Sequence, residues 1–345
     1  MKITFTHTIK FIALLIVLAG VFHKTSAQKY SQFDSVLYAV YADSLSLKKG
    51  KQCRMDSQKK GKEADKKIQA YIGKEKYREA LSVFEQYKGE ILMYQGHSDC
   101  FIPFFESMIE LYYKVFDEDE ARKKAIDLRE FGRVYMEEII AGGRIPKNYF
   151  SNSCLLAYDY RMQKEYVKAI GVYECICSVL KQFGDTTSVA YATALSNEGI
   201  LFEDFFFDNI EILEEGIDDD AKSTLMEIGA VAIGMLRKAN AILNTLPDMK
   251  YSVDNVKILF RLLYIYEARD VDVEVVIACI EEIKEIYEVN EWEVDSRYGL
   301  ARTRLLIGYI QAGEMQKAEE LYALIKSQST GECPSFEEIV RQMAK

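Results

Sequence analysis

The feature that most constrains this chain is a spacing of aromatic and alanine residues that occurs three times. In each copy a tyrosine is followed nine residues later by an alanine, and another aromatic residue comes four residues after that. Residues three or four apart share one face of a helix, and a small residue lets two helices approach closely. The spacing therefore predicts helical hairpins, with the tyrosine near the end of the first helix and the alanine where the second helix crosses it. The copies are Tyr71/Ala80/Phe84, Tyr160/Ala169/Tyr173 and Tyr309/Ala318/Tyr322.

The amino-terminal segment 1–27 has the pattern of a signal peptide. Lys2 and Lys10 precede an apolar run over 11–22, and small residues end at Ala27. We expect cleavage near Ala27 and export to a periplasmic or extracellular location, which leaves 28–345 as a helical repeat domain. The run is too short to span a hydrocarbon core, so an uncleaved anchor is the alternative and no membrane span is expected after cleavage.

The charge balance excludes one class of partner. The chain has 54 Asp and Glu against 44 Lys and Arg, for a formal net charge of −10. Binding to nucleic acid depends on clustered Lys and Arg that neutralise phosphates, so no nucleic-acid partner is expected.

The cysteines give no clear disulfide framework. Their number is seven, which is odd, and their spacing is scattered. The pairing to test is Cys154 with Cys175 or Cys177, on facing helices of one hairpin. The alternative is that the cysteines are small buried apolar residues. The first cysteine after Ala27 is Cys53, so a lipid anchor at the cleavage point is not expected.

The rest of the chain shows an almost continuous helical pattern. It predicts 13 or 14 helices, among them 187–207, 219–245 and a final helix at 336–344, with a subdivision of the chain near 185–220. Ser335 and Glu338 have the spacing of a capping box at the start of the final helix. The lysine-rich stretch 56–67 predicts a solvated helix face, and Phe260, Leu263 and Tyr264 continue the apolar spacing of the helix after Val256.

The three hairpin motifs resemble the units of the tetratricopeptide-repeat (TPR) family, which stacks helix pairs with aromatic and small residues at fixed offsets. Two weaker copies lie on Ile109/Tyr112/Ala121/Leu128 and on Leu262/Tyr266/Val275/Cys279. The resemblance implies that these residues pack the hairpins together and do not contact a ligand. It implies an all-α fold, an irregular right-handed stack of antiparallel hairpins.

The chain also departs from the family pattern. The spacings between successive anchors are longer than the family's repeat of about 34 residues, and the early tryptophan and closing proline of each unit are missing. The resemblance therefore predicts longer helices or larger loops than in a regular array.

The sequence gives little support for catalysis. After cleavage the single histidine is His97, beside Cys100, and no glycine-rich phosphate loop is present. A histidine triad or a multi-histidine metal site would need more than one such residue. We expect no catalytic residue, no cofactor and no metal, with an enzyme that uses His97 and Cys100 or a carboxylate pair as the alternative.

One acidic cluster is a candidate partner-contact surface. Residues 203–220 carry nine acids and no base, interleaved with three phenylalanines. The surface would suit a basic partner segment, or Ca²⁺ with oxygens from the loop. The other interpretation is an ordinary helix end with core phenylalanines. The candidate contacts are Glu203, Asp204, Asp208, Asp218, Asp219 and Asp220.

Taken together, the pattern predicts an exported, non-catalytic scaffold that binds a protein or peptide in the concave groove of a helical stack. Groove residues are expected on the first helix of each pair. The alternative is a glycan-binding envelope protein, which an exposed Trp292 and tyrosines along one groove would favour.

Overall fold

The computed structural model describes residues 51–95, 101–141, 143–146, 148–213, 219–328 and 334–343. These residues form helices joined by short turns and contain no strand, which confirms the all-α prediction. The signal segment 1–27, His97, Cys100 and Asp218 lie outside the described residues. No helix in the described ranges is long and apolar enough to cross a membrane.

The contacts divide the chain into two compact units. Unit 1 ends at Val179 and unit 2 begins at Leu180. The single domain 28–345 and its subdivision near 185–220 stay predictions. Unit 1 contains α1 (Lys51–Ile72), α2 (Tyr77–Gln95), α3 (Phe101–Val115), α4 (Glu118–Ala141), α5 (Tyr149–Met162) and most of α6 (Tyr166–Gln182).

Unit 2 continues the same arrangement of helix pairs. Its described elements are α7 (Val189–Asp208), a 3-10 helix (Ile210–Leu213), α8 (Asp219–Thr245), α9 (Pro247–Lys250), α10 (Val253–Ala268), α11 (Val273–Val289), α12 (Ser296–Gln311), α13 (Met315–Gln328) and α14 (Phe336–Met343). Helix α7 packs on α8, and α10, α11 and α12 each pack on the next helix along the chain.

Side-chain caps fix where several of these helices begin. Ser188, Ser252, Asp272 and Asp295 each accept a hydrogen bond from a backbone N–H in the first turn of α7, α10, α11 and α12. Such bonds satisfy amide groups that have no partner within the helix. The predicted capping box at α14 is confirmed: the Ser335 N–H donates to Glu338, and the Glu338 N–H donates to the Ser335 hydroxyl.

The same backbone turn follows five of the helices: four copies close hairpins, and the one at Glu291 joins α11 to the next hairpin. In each, the residue four positions after a tyrosine has a φ of +49° to +75°, and the next residue donates its N–H to that tyrosine's carbonyl at 2.8–3.0 Å. This left-handed turn stops the first helix and satisfies one of its last carbonyls. The left-handed positions are Glu75, Lys164, Asp270, Glu291 and Gly313.

The hairpin anchors lie where the spacing predicts. Ala80, Ala169 and Ala318 are completely buried. Phe84, Tyr160, Tyr173 and Tyr309 are buried as well, whereas Tyr71 and Tyr322 are half-exposed. The buried members of the weaker copies include Tyr112, Ala121, Tyr266 and Cys279. The packing of the anchors thus confirms the predicted helix hairpins.

A second repeated contact links neighbouring hairpins. The hydroxyls of Tyr112, Tyr160 and Tyr309 each donate to a glutamate on the helix before their own, at 2.8, 2.8 and 2.7 Å. A buried hydroxyl without a hydrogen-bond partner would cost free energy. Each glutamate offsets that cost by accepting a hydrogen bond from the tyrosine hydroxyl. The acceptors are Glu85, Glu130 and Glu281.

Buried charges join three helices of unit 1. Arg129 on α4 forms ion pairs with Asp159 on α5 and with Glu106 on α3, the latter at 2.9 Å. Arg122, two turns earlier on α4, reaches Asp159 at 3.5 Å. Asp159 is buried, and a buried carboxylate needs such partners to offset its loss of hydration.

Amide side chains play the corresponding role in unit 2. Asn240 and Asn244 on α8 both donate to Glu282 on α11, at 2.9 and 2.8 Å. Asn255 on α10 donates to Asn244 at 2.8 Å and is completely buried. This network fixes how α8, α10 and α11 lie against each other, because a shift would leave buried amides unpaired.

Close packing in unit 2 depends on glycine. A Cβ atom at Gly199 on α7 would lie 3.0 Å from the Leu236 side chain and 3.3 Å from the Ala232 carbonyl, both on α8. At Gly308 on α12 it would lie 3.0 Å from Ile277 on α11. Both glycines therefore mark points where two helices approach closely.

Candidate partner-binding groove

A groove in unit 2 follows one face of α7 and one face of α10. Its larger part is a cavity of about 630 Å³, lined on α7 by Thr193, Ser196, Asn197 and Ile200. On α10 the lining includes Lys257, Arg261 and Tyr264, and Arg297 at the start of α12 also contributes. Because the lining residues of each helix recur every three or four positions, they form a continuous face. We call this surface the α7–α10 groove.

The groove continues towards the carboxyl ends of the same two helices. A second cavity of about 550 Å³ shares Arg261 and Tyr264 with the first and is also lined by Glu203, Phe207 and Glu267. The combined surface extends along four turns of α7. It offers apolar side chains, charges, and polar side chains that can form hydrogen bonds with the backbone of a bound peptide. Such a lining suits a peptide segment better than a single small molecule.

The larger cavity is basic, although the chain as a whole is acidic. Three cations line it, Lys257, Arg261 and Arg297, against one acid, Asp254. Lys257 and Asp254 form an ion pair of 3.1 Å, but both side chains are more than 60% exposed and the pair contributes little. Arg297 is exposed and forms no ion pair within the described residues. The lining of this cavity alone therefore carries two more positive than negative charges.

Arg261 is the groove cation that forms ion pairs with the neighbouring helix. Its Nη1 lies 3.2 Å from Glu203 Oε1 and 4.0 Å from Asp204 Oδ1 on α7. The Glu203 side chain is almost fully buried, whereas that of Arg261 is 39% exposed. The ion pair thus connects α7 to α10 and leaves part of the guanidinium open to the groove.

Tyr264 is an exposed aromatic residue of the groove beside Arg304. Its side chain is 39% exposed, and the Arg304 guanidinium lies 5.8 Å from the centre of its ring. Arg304 in turn pairs with Glu267 at 2.7 Å. Burial raises the pKa of Glu267, and the charge of Arg304 opposes that rise. Tyr264 is therefore an accessible aromatic surface in the groove.

The predicted acidic contacts separate into two groups. Glu203 is buried and Asp204 half-buried, and both face Arg261. Asp208, Asp219 and Asp220 are exposed at the end of α7 and the start of α8, outside the lining of either cavity. Asp219 and Asp220 lie in the first turn of α8, where acids favour the helix dipole. Of the three phenylalanines, Phe206 is completely buried and Phe207 lines the groove.

No protein-family model matches the chain, and no curated protein matches it. Among solved structures it is similar to BtubC (BKLC) from P. vanneervenii, at 16% identity and a TM-score of 0.45, over 79% of this chain and 96% of that one. It is also similar to a Podosopora anserina protein assigned as a kinesin light chain with nearly identical TPR-like repeats, at 12% identity and a TM-score of 0.41, over 67% and 96% of the two chains. At these TM-scores the similarity gives no information about what this chain binds.

A disulfide at Cys154 and a metal site were the other chemical possibilities that the sequence raised. Cys154 is a free thiol, so the disulfide considered between Cys154 and Cys175 or Cys177 is not formed in this structure. Burial raises the pKa of Cys154, while a hydrogen bond with Tyr173 opposes the rise. Across the described ranges, no three His, Cys, Asp or Glu side chains are grouped as a metal site would need.

Trp292 is not an exposed groove residue. It is half-buried, with its ring edge-on to Tyr287 at 5.3 Å between centroids, and it lines neither cavity. The sugar-stacking surface that the glycan alternative needed at Trp292 is therefore absent from the described groove.

Sequence reasoning did not identify Lys257, Arg261 and Arg297. These residues lie on α10 and at the start of α12, and the expectation that groove residues lie on the first helix of each pair stays a prediction. Tyr264 was assigned to the apolar pattern after Val256. Val256, Phe260 and Leu263 are buried, but Tyr264 faces the groove. The one available signal was the spacing of Lys257, Arg261 and Tyr264, which repeats at helical intervals.

Proposed function

We propose that this chain is an exported, non-catalytic binding protein that takes an acidic segment of a protein partner into the α7–α10 groove. The observation that supports it is the convergence of Lys257, Arg261 and Arg297 on one cavity of a chain whose net charge is −10. Carboxylates of a partner would pair with these cations, and opposite charges speed association as well as selecting the partner.

The other lining residues suit the rest of such a segment. Asn197 and Thr193 can bond to peptide N–H and C=O groups, while Ile200, Phe207 and Tyr264 can pack against apolar side chains. This proposal replaces the idea of a basic partner on the acidic cluster, because two of its acids, Glu203 and Asp204, face Arg261.

A peptide-binding experiment tests the proposal. Fluorescence anisotropy would measure the affinity of residues 28–345 for a short glutamate-rich peptide and for a lysine-rich peptide of the same length. The triple variant K257E/R261E/R297E should lose about tenfold or more in affinity for the glutamate-rich peptide, because three attractive charges become repulsive. The matched control is K59E/K62E/K66E, which makes the same change in net charge on exposed lysines of α1.

The control triple should keep the wild-type affinity within about twofold at an ionic strength of about 0.15 M, because distant charges are screened. Equal losses in the two triples would refute a specific groove. Tighter binding of the lysine-rich peptide by the wild type would favour the acidic cluster instead.

Export is a separate part of the proposal and has its own test. Expression of the full chain in a bacterial host should give a secreted or periplasmic product whose first residue is Gln28, determined by amino-terminal sequencing. Recovery of the intact chain in the cytoplasm would contradict it.

A further inference from the structure

We infer that Glu203 is a positioning residue of the α7–α10 groove: it holds the Arg261 guanidinium so that the remaining N–H donors face the cavity. This inference rests on the proposed function of that groove. It gives a role to the most buried of the described acids of 203–220, which would otherwise oppose the binding of an acidic ligand.

The geometry carries the inference. Within the described residues Arg261 forms its ion pairs through Nη1 alone, with Glu203 at 3.2 Å and Asp204 at 4.0 Å. The Nε–H and the Nη2 hydrogens are left for a ligand, on a side chain that is 39% exposed and lines both cavities. Glu203 contributes to the lining of the second cavity, but only 2% of its side chain is exposed against 39% of that of Arg261, so a ligand would meet mainly Arg261.

Ordering of an arginine before binding has a physical advantage. An exposed arginine samples many rotamers, and a ligand that fixes it must offset that loss of entropy. Arg261 is already held by a carboxylate on the neighbouring helix, so less entropy is lost when its planar donors bind a ligand carboxylate.

For Glu203→Gln, a positioning role and simple charge repulsion predict opposite changes in peptide affinity. If Glu203 acted only as a negative charge near an acidic ligand, Glu203→Gln would strengthen binding. If Glu203 positions Arg261, Glu203→Gln should weaken binding of the glutamate-rich peptide by about two- to tenfold, even though a repulsive charge is removed. Glu211→Gln is the matched control, because Glu211 is an exposed acid of the same cluster and lines neither cavity. Its affinity should stay equal or rise.

Two further measurements keep the inference testable if Glu203→Gln folds poorly. Glu203→Asp keeps the charge but shortens the side chain by one methylene group, so it should also lower the affinity. Without any ligand, the NMR order parameter of the Arg261 Nε–H bond should fall in either variant relative to the wild type. Thermal unfolding would verify that each variant is folded.

The outcomes separate the two proposals. Wild-type binding with unchanged or tighter binding by folded Glu203→Gln, or an unchanged order parameter of Arg261, would overturn the positioning role alone. A wild-type protein that does not bind the glutamate-rich peptide would overturn the proposed function, and the positioning role with it.

Discussion

The hydroxyl of Tyr309 donates a hydrogen bond of 2.7 Å to Glu281, which lies on the helix before it. Lys317 lies 5.3 Å from the centre of the same ring and 3.8 Å from the same carboxylate. One tyrosine thus connects α11, α12 and α13, and equivalent tyrosine–glutamate bonds occur at Tyr112 and Tyr160.

Removal of this hydroxyl should destabilise the fold without changing its shape. We expect Tyr309→Phe to lower the free energy of unfolding by about 1 kcal/mol, because the bond to Glu281 is lost. Tyr264→Phe is the control, since the Tyr264 hydroxyl makes no hydrogen bond within the described residues. Urea denaturation of both variants would measure the difference, and equal effects would contradict the role assigned to Glu281.

Alkaline pH should destabilise the protein. Burial, together with the hydrogen bond to Asp295, raises the pKa of Tyr287 to about 12, and burial also raises the pKa values of Tyr149, Tyr160 and Tyr309. An unfolded tyrosine has a pKa of about 10, so above that pH the unfolded chain binds fewer protons than the folded one. The free energy of unfolding should therefore fall as pH rises from about 10 through the folded pKa values.

The tyrosines can be separated from other groups that titrate at high pH. Urea denaturation at a series of pH values should show a shallower decline in stability for Tyr287→Phe than for the wild type. Lysine titration would affect both proteins alike. Parallel declines in the two proteins would show that Tyr287 does not contribute.

The crossing of α7 and α8 should not tolerate a side chain at Gly199. Gly199→Leu is expected to lower stability by about 1–3 kcal/mol, because its Cβ atom already meets Leu236 and the Ala232 carbonyl. Gly234→Leu on α8 is the matched control, since a Cβ atom there has no neighbour within 4 Å. That variant should be as stable as the wild type or more so, because leucine favours helices more than glycine does. Similar melting temperatures for the two variants would argue against a close crossing.

At equivalent left-handed positions of the hairpin turn, adding a side chain should lower stability and removing one should raise it. Gly313→Ala should cost about 1 kcal/mol, because Gly313 has a φ of +75° that an L-residue with a Cβ atom adopts at a cost. Lys164→Gly should increase stability by up to about 1 kcal/mol, because Lys164 has a φ of +57° at the corresponding place. Gly171→Ala, in the open interior of α6, should also increase stability. Chemical denaturation of the three variants tests the pattern, which fails if Gly313→Ala is as stable as Gly171→Ala.

Local features of the fold could be predicted from the sequence. The predicted helix 219–245 matches α8, and 187–207 and 336–344 differ from α7 and α14 by one or two residues at their ends. These features depend on signals close together in the chain, such as Ser335 with Glu338. The burial of the anchor Ala169 depends in the same way on residues of its own hairpin.

The groove could not be predicted in the same way. Lys257, Arg261 and Arg297 lie in one cavity because α7, α10 and α12 pack together, and nothing local records that packing. Tyr264 shows the problem in one residue. Its spacing fits the apolar face of α10, yet it lies at the edge of that face and points into the groove. An acid such as Glu203 likewise gives no sign in the sequence that it is buried.

The left-handed turn that closes the hairpins has one further consequence. Its hydrogen bonds come from the main chain, and glutamate, lysine, aspartate and glycine all occupy its left-handed position. The turn therefore forms with very different side chains at its left-handed position. Copies of one hairpin can therefore differ in sequence at that position and still form the same backbone turn.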